Sequence, residues 1–549
     1  GIPRLIASQG VNAFFGDMLP AWEGGEYEGL LSETAWRYAR DILETARTCA
    51  LTDGLYPVLI TSFKCSPDSF IIDFFTRIME EHDKPFLILQ VDEHDSGVGY
   101  ETRVEAGIRA FRNHHRVTTS GRRGRGGRIN APAGRGAGHP RPAGAASRGG
   151  SRPAEAELTT ELGDRTLLLP TFDPITSPLL AANLRRHGVD ARILTETPQA
   201  IRRSMRLNTG QCIPVNVIAQ ETLEALERHD LTPERAALWM PRSGWPCNIA
   251  MYPHLLKRWF EREGAGDLAV FAGDFSYVDI SPQATMGAYF AYLFGGLLRR
   301  IGCMRRPYEL LPGSTDRAIE QAVSLLEEAF LGLARREERL DAALALFDEV
   351  PVADGARPKV ALFGDLYVRD NEIFNQDLIE TIEEAGGEVV TTPYSDYTKI
   401  IAGAHFKRLL RDGKYADWAL YRTLLSVIEF VERRYYDRFE RWVGPRISSR
   451  DDNLEDNLET FGLHLDHSGE SLDNVLKVFR LLEEHPDLAL LVQASPAFCC
   501  PSLVTEAMGD KITSVTGVPV VSVTYDGTGA PRNDMVVPYL RFAATSRVG

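Results

Sequence analysis

The sequence predicts an α/β protein made of several doubly wound, Rossmann-like lobes of parallel sheet, joined by a helical connecting region. Three observations carry this expectation. Apolar strand-like runs at 56–63, 165–172, 359–365 and 488–495 alternate with stretches whose apolar residues recur at helical spacing, the pattern of parallel strands joined by crossover helices. One stretch, 117–157, abandons that pattern for Gly, Arg, Ala and Pro and reads as a disordered linker. Finally, Cys65, Cys212, Cys247, Cys499 and Cys500 fall in Pro- or Gly-bounded loops beside these runs, where open parallel sheets carry their ligand loops.

The elements follow in order. Residues 1–24 open with an amphipathic stretch and a strand-like run at 11–19, and 31–50 has helical spacing. The strand at 56–63 leads through the Cys65 loop to a helix at 71–82, a strand at 84–94 and a helix at 100–113. After the linker, strands are expected at 165–172, 190–194, 236–242 and 267–273, with helices at 177–188, after Cys212 and at 248–264. A mostly helical span covers 284–349. A third module has strands at 359–365, 388–394, 488–495 and 518–527; its helices fall at 371–387, around 405–445, at 472–484 and at 504–517. The boundaries that result are an α/β lobe over 1–116, the linker 117–157, a lobe over 158–312, a helical connector over 313–357 and a lobe over 358–549.

Composition narrows the function. A hydrophobic content of 44% with 25% charged residues is that of a soluble globular protein with sizeable cores. No apolar run reaches membrane-spanning length and residues 1–30 lack the charge and apolar pattern of a secretory signal, so a cytoplasmic location is expected. Gly1 opens the chain inside what reads as an α/β unit, so a preceding piece is also expected. A net charge of −15 argues against wholesale nucleic-acid binding. The Arg/Gly tract is of a kind that binds RNA, but a basic linker is the plainer reading.

Seven cysteines in a chain of 549 residues do not suggest a disulfide framework. Cys212 and Cys247 each precede a helical segment, and a helix N-terminus, with its open N–H groups and positive dipole end, favours thiolate. Every loop cysteine has a proline within two residues, which stiffens the loop and suits an iron–sulfur site. Cys49 and Cys303 lie in or beside helical patterns and read as small buried hydrophobes. Zinc is disfavoured because paired C-x₂₋₄-C knuckles are missing. Neither G-x-x-x-x-G-K-[ST] nor G-x-G-x-x-G follows the opening strands, so no ATP site is expected. Glu93 and His94, with Asp92, stand at a strand end and are candidates for proton transfer or for simple capping. Asp365, Arg369, Asp370 and Asn371 mark a strand-to-helix junction, either as ligand contacts or as helix caps.

Taken together, KCSPDSF at 64–70, GQCIPVN at 210–216, GWPCNIAMY at 244–252, FGDLYVRDNEIFNQDLIE at 363–380, SPAFCCPSL at 495–503 and TYDGTG at 524–529 resemble the large CoA-substrate-specific enzyme activase-related proteins. The relevant portion of that family is similar to the iron–sulfur component of 2-hydroxyacyl-CoA dehydratases and to double-cubane cluster proteins. The resemblance spans nearly all of the chain outside the linker. It implies a [4Fe–4S] or double-cubane [8Fe–9S] cluster held by Cys65, Cys212, Cys247 and Cys499 or Cys500. It also implies an ATP-hydrolysing activator of actin/hexokinase-like fold as electron donor, on a separate chain or an upstream domain. Asn248 and Ala250 depart from the family's usual Arg and Gly, which bears on substrate placement.

Two readings from different classes result. One is a dehydratase or reductase component that takes low-potential electrons to act on a small molecule, an acyl-CoA being the implied class. The other is a non-catalytic redox or scaffold subunit that docks the activator. Binding of RNA through the Arg/Gly tract is the third and weakest, and whether the chain dimerises is left open.

Overall fold

A computed structural model of the chain describes residues 1–19, 37–61, 67–91, 97–121, 158–159, 161–207, 212–241, 248–273, 280–445, 454–464 and 470–543. The chain divides into two compact units, Gly1–Glu157 and Leu158–Gly549. Among the described residues no helix is long and apolar enough to cross a membrane. Every ladder between the named strands is parallel, which makes this an α/β protein.

In the first unit, β1 (Val58–Thr61) pairs with β2 (Leu87–Gln90), Val58 opposite Leu87. The helices Arg37–Leu51, Ile72–Glu81 and Gly97–Gly121 accompany them. Their apolar faces bury Leu43, Phe75, Ile78 and Ile108. Two expectations are corrected here. Residues 11–15 pair with no strand among the described residues, and Gly16–Met18 is a single 3₁₀ turn. Phe14 and Phe15 point outward, so the run never gains the ladder partner a strand needs. The linker also begins later than 117, because the helix continues to Gly121. Thr118 and Thr119 hydroxyls donate to the carbonyls of His114 and His115, four residues back, and so keep to the helical path. Residues 122–157, with the Arg/Gly tract, lie outside the described residues.

The second unit holds two four-stranded sheets. The first contains β3 (Thr166–Leu169), β4 (Ala191–Ile193), β5 (Ala236–Pro241) and β6 (Ala269–Gly273), in the order β4-β3-β5-β6. The second contains β7 (Lys359–Gly364), β8 (Glu388–Val390), β9 (Leu488–Pro496) and β10 (Val520–Tyr525), in the order β10-β9-β7-β8. Counted from each sheet's own first strand, both follow the order 2-1-3-4. β3 is buried at every position, as a strand covered on both faces must be. The lobes expected at 158–312 and 358–549, and the connector between them, thus form one compact body.

The helix Pro282–Arg305 joins the two lobes. A Cβ on Gly295 would stand 2.1 Å from Thr176 Oγ1 of the first lobe, and one on Gly296 would stand 2.6 Å from Pro393 Cβ of the second. Only glycine lets the helix lie this close to both. Cys303 sits inside this helix rather than after it.

Two further expectations are corrected in the second lobe. The helix foreseen at 371–387 is confined to Leu378–Glu384, with turns before it. Asn371 Oδ1 accepts the Phe374 N–H and Asn375 Oδ1 accepts the Leu378 N–H, at 3.1 Å each, while Gln376 and Asp377 take left-handed φ. Short amide side chains there satisfy backbone groups that a helix would otherwise use. The helix foreseen at 504–517 begins instead at Cys500 and breaks at Met508 into Cys500–Ala507 and Gly509–Thr516.

Candidate functional site

Four features lie beyond the carboxyl ends of strands in the two sheets of the second unit. The first is Cys212. It is the N-cap of the helix Ile213–Arg228, with Pro214 in the first turn, and it is 5% exposed. The Tyr252 hydroxyl donates to its Sγ at 3.1 Å. Tyr252 opens the helix Tyr252–Arg262, so the segment that follows Cys247 in sequence is brought against Cys212.

The second feature is the Cys499–Cys500 turn. Cys499 is the N-cap of Cys500–Ala507 and is buried, while Cys500 is half-buried. Phe498 before it takes a left-handed φ of 63°, a sharp reversal straight off the end of β9. The Ala497 N–H donates to the Tyr525 carbonyl at 2.8 Å, tying this turn to the end of β10. The next residues, Asp526–Gly529, lean on the first lobe: a Cβ on Gly527 would lie 3.5 Å from Ile213 Cγ2 and 3.2 Å from Met205 Sδ. Gly527 has φ +75°, so both its backbone and its surroundings call for glycine. The second lobe's strand ends therefore abut the residue directly after Cys212.

The third feature is a buried pair of carboxyls that sequence reasoning missed. Glu196, just after β4, accepts from the Tyr367 hydroxyl at 2.6 Å and from Asn371 Nδ2 at 2.7 Å, both on the loop after β7. Glu221, on the helix that Cys212 caps, is buried beside it. Glu196 Oε1 and both Glu221 oxygens meet no N–H or O–H donor among the described residues. Burial, and then the Glu196 charge, push the Glu221 carboxyl well up; burial also raises Glu196, against the pull of its Tyr367 and Asn371 donors. A proton shared between the two carboxyls would satisfy the facing oxygens.

The fourth feature is a small cavity lined by Asp173, Arg299, Asp370, Thr391, Thr392 and Tyr394, among others. Arg299 Nη1 pairs with Glu372 at 3.1 Å, and Nη2 stands 3.5 Å from Asp173 Oδ1. Burial alone would raise Asp370, but the Arg369 and Arg299 guanidiniums overcome it and hold the carboxyl below its usual range. Arg369 clasps Asp370 through Nε and Nη2 at 3.2 and 2.6 Å, above the Tyr394 ring. Carboxylates and guanidiniums nearly balance here, and the cavity has room for about one water molecule. Among the described residues, Thr391 Oγ1 and Arg299 Nη2 make no hydrogen bond.

The sequence candidates are placed as follows. Asp365 Oδ1 accepts the N–H groups of Tyr367 and Val368 and fixes the turn that aims Tyr367 at Glu196. Asp370 and Asn371 turn inward, to Arg369 and to Glu196. Cys65, Cys247, Glu93 and His94 lie outside the described residues. Cys49 and Cys303 are helical and buried, and burial pushes their thiols up to about 11 and about 12. Among the described residues, no three His, Cys, Asp or Glu side chains come together as a metal site. The chain matches no protein-family model and no curated protein.

The missed residues left little trace. Glu196 follows a strand, a placement that could have drawn notice. Glu221 sits in AQETLEALER, where it looks like any helical surface acid.

Proposed function

We propose that this chain is an iron–sulfur protein of the 2-hydroxyacyl-CoA dehydratase and activase-related type, with doubly wound, Rossmann-like lobes. It takes low-potential electrons from an ATP-hydrolysing activator and reduces or dehydrates a small substrate, an acyl-CoA being the class the resemblance implies. One observation carries the reading: Cys212 is a helix N-cap whose Sγ accepts the Tyr252 hydroxyl, at the junction that the second lobe reaches through Gly527.

The donor chemistry fits such a group. Cys212 and Cys499 both cap helices, with Pro214 and Pro501 at the second helical position, and Cys500 adds a half-buried thiol. Cys65 and Cys247 would complete the ligand set. When bound, a [4Fe–4S] or [8Fe–9S] cluster supplies one-electron chemistry. Around it, Tyr252 would donate to a ligand sulfur, and such bonds set cluster potential. The Glu196–Glu221 pair would hold a proton away from water.

The alternative is a non-catalytic redox or scaffold subunit that docks the activator. Iron and acid-labile sulfide per chain, measured after anaerobic purification, test for the cluster, and substrate turnover with an activator and ATP separates the two readings. About four or about eight irons are expected for the two cluster types. Cys212→Ser and Cys247→Ser should each lower the iron content. Full iron in both variants overturns the ligand assignments, and no iron in the reconstituted native chain overturns the catalytic reading.

A further inference from the structure

The two lobes of the second unit repeat one plan beyond their shared strand order. In the turn after the first strand of each, an aspartate Oδ1 accepts the N–H groups two and three residues on. Asp173 takes those of Ile175 and Thr176, and Asp365 those of Tyr367 and Val368, at 2.6–3.0 Å. The helix that follows closes on a glycine of left-handed φ, Gly188 or Gly386. The next N–H, of Val189 or Gly387, then reaches back to the carbonyl of Leu184 or Ile382. β5 and β9 are therefore counterparts: each is the third strand of its lobe and lies beside the first. That is the switch point of an open parallel sheet, where the loop after the strand meets ligands.

The loops after these two strands carry the same short pattern: a small residue, an aromatic, any residue and a cysteine. They read Gly244-Trp245-Pro246-Cys247 and Ala497-Phe498-Cys499-Cys500. The loop after β1 carries the pattern a third time, as Ser62-Phe63-Lys64-Cys65. A helical turn starts within two residues of each matched cysteine, at Asn248, Cys500 and Pro67. Cys49, Cys212, Cys303 and Cys499 lack the aromatic two residues ahead. Cys65 and Cys247 lie outside the described residues and enter through their sequence and the elements on either side.

The pattern separates two neighbours that the resemblance leaves undivided. The position before the matched cysteine is Lys64, Pro246 or Cys499. These three share no ligand chemistry, so a thiol at that position is incidental to the repeat. Phe498 has a left-handed φ of 63° and is 47% exposed, so neither backbone freedom nor core packing accounts for an aromatic there. An apolar cover beside a cluster thiol does, since it limits water at the iron. Cys499 is 4% exposed, and Cys500 is the more open thiol of the two. We propose that Cys500 is the second lobe's cluster ligand, the counterpart of Cys247, and that Cys499 is a packed N-cap with no part in ligation. The assignment rests on the iron–sulfur reading of the chain.

Iron per chain in Cys499→Ala and Cys500→Ala, purified anaerobically beside the native chain, tests it, with a thermal melt of the iron-free proteins as folding control. Cys499→Ala should keep the native iron content, and Cys500→Ala should hold about half of it or less. Iodoacetamide labelling read by mass spectrometry gives a second measure, on the native chain itself. Cys500 should react roughly tenfold more slowly with iron bound than after chelation. A native chain that takes up no iron overturns the iron–sulfur reading and this assignment together. With iron in the native chain, equal iron in the two variants, a greater loss from Cys499→Ala, or an unprotected Cys500 overturns the assignment alone.

Discussion

Glu221 illustrates how one side chain links folding to pH. In the folded chain burial and the Glu196 charge hold its carboxyl well above the usual range, whereas an unfolded glutamate releases its proton near 4.5. The folded state therefore binds more protons than the unfolded state above that pH, and stability should decline as pH rises from about 4.5 through neutrality. Glu221→Gln keeps a donor toward Glu196 and removes the titration, so its stability should vary less with pH. Urea unfolding of both proteins from pH 5 to pH 8 checks this; parallel curves would show that the pair carries no proton-linked stability. Tyr367 and Asn371 take part through geometry, since their donors fix the Glu196 carboxyl beside Glu221.

Among the elements, the helix Pro282–Arg305 is the most constrained. Phe294 contacts Phe290, Phe330, Tyr435 and Phe439 at ring-centroid distances of 5.3–6.1 Å, while Gly295 and Gly296 let the backbone touch both lobes. Gly295→Ala would press a methyl group to within 2.9 Å of the Thr176 Cα, where backbone must move. Overpacking of this kind costs about 1–3 kcal/mol, despite alanine's better helix propensity. A lower melting temperature is expected, and an unchanged or higher one would show that the two helices separate freely. The helical character of this stretch was legible from its apolar spacing. The purpose of its glycines was not, because a close approach is a property of two segments and Thr176 lies far away in sequence.

At the scale of the molecule, two sheets of the same strand order share one body. The Tyr367–Glu196 bond spans 171 residues, and the Asn371–Glu196 bond spans 175. Both are buried, and breaking them would strand a carboxylate. The lobes should therefore open together. Hydrogen exchange should give the amides of β5 and β9 the same opening free energy. Two distinct values would mean that each lobe unfolds on its own.

The sequence by itself determined the alternation of strand and helix. It also set Cys212 and Cys499 at helix starts, since both features follow from local periodicity and from prolines that act within a few residues. Its errors were local too: Phe14 and Phe15 resemble a strand but gain no ladder, and 371–377 resembles a helix until its amides bond elsewhere. Only the tertiary structure decided which polar side chains are buried. Periodicity reports the apolar face of a segment and is silent about which acid a distant loop will cover. Glu196, Glu221, Arg299 and Asp173 acquire their chemistry from partners that the chain brings in from the other lobe or from distant helices, after desolvation has made every unmatched polar atom costly.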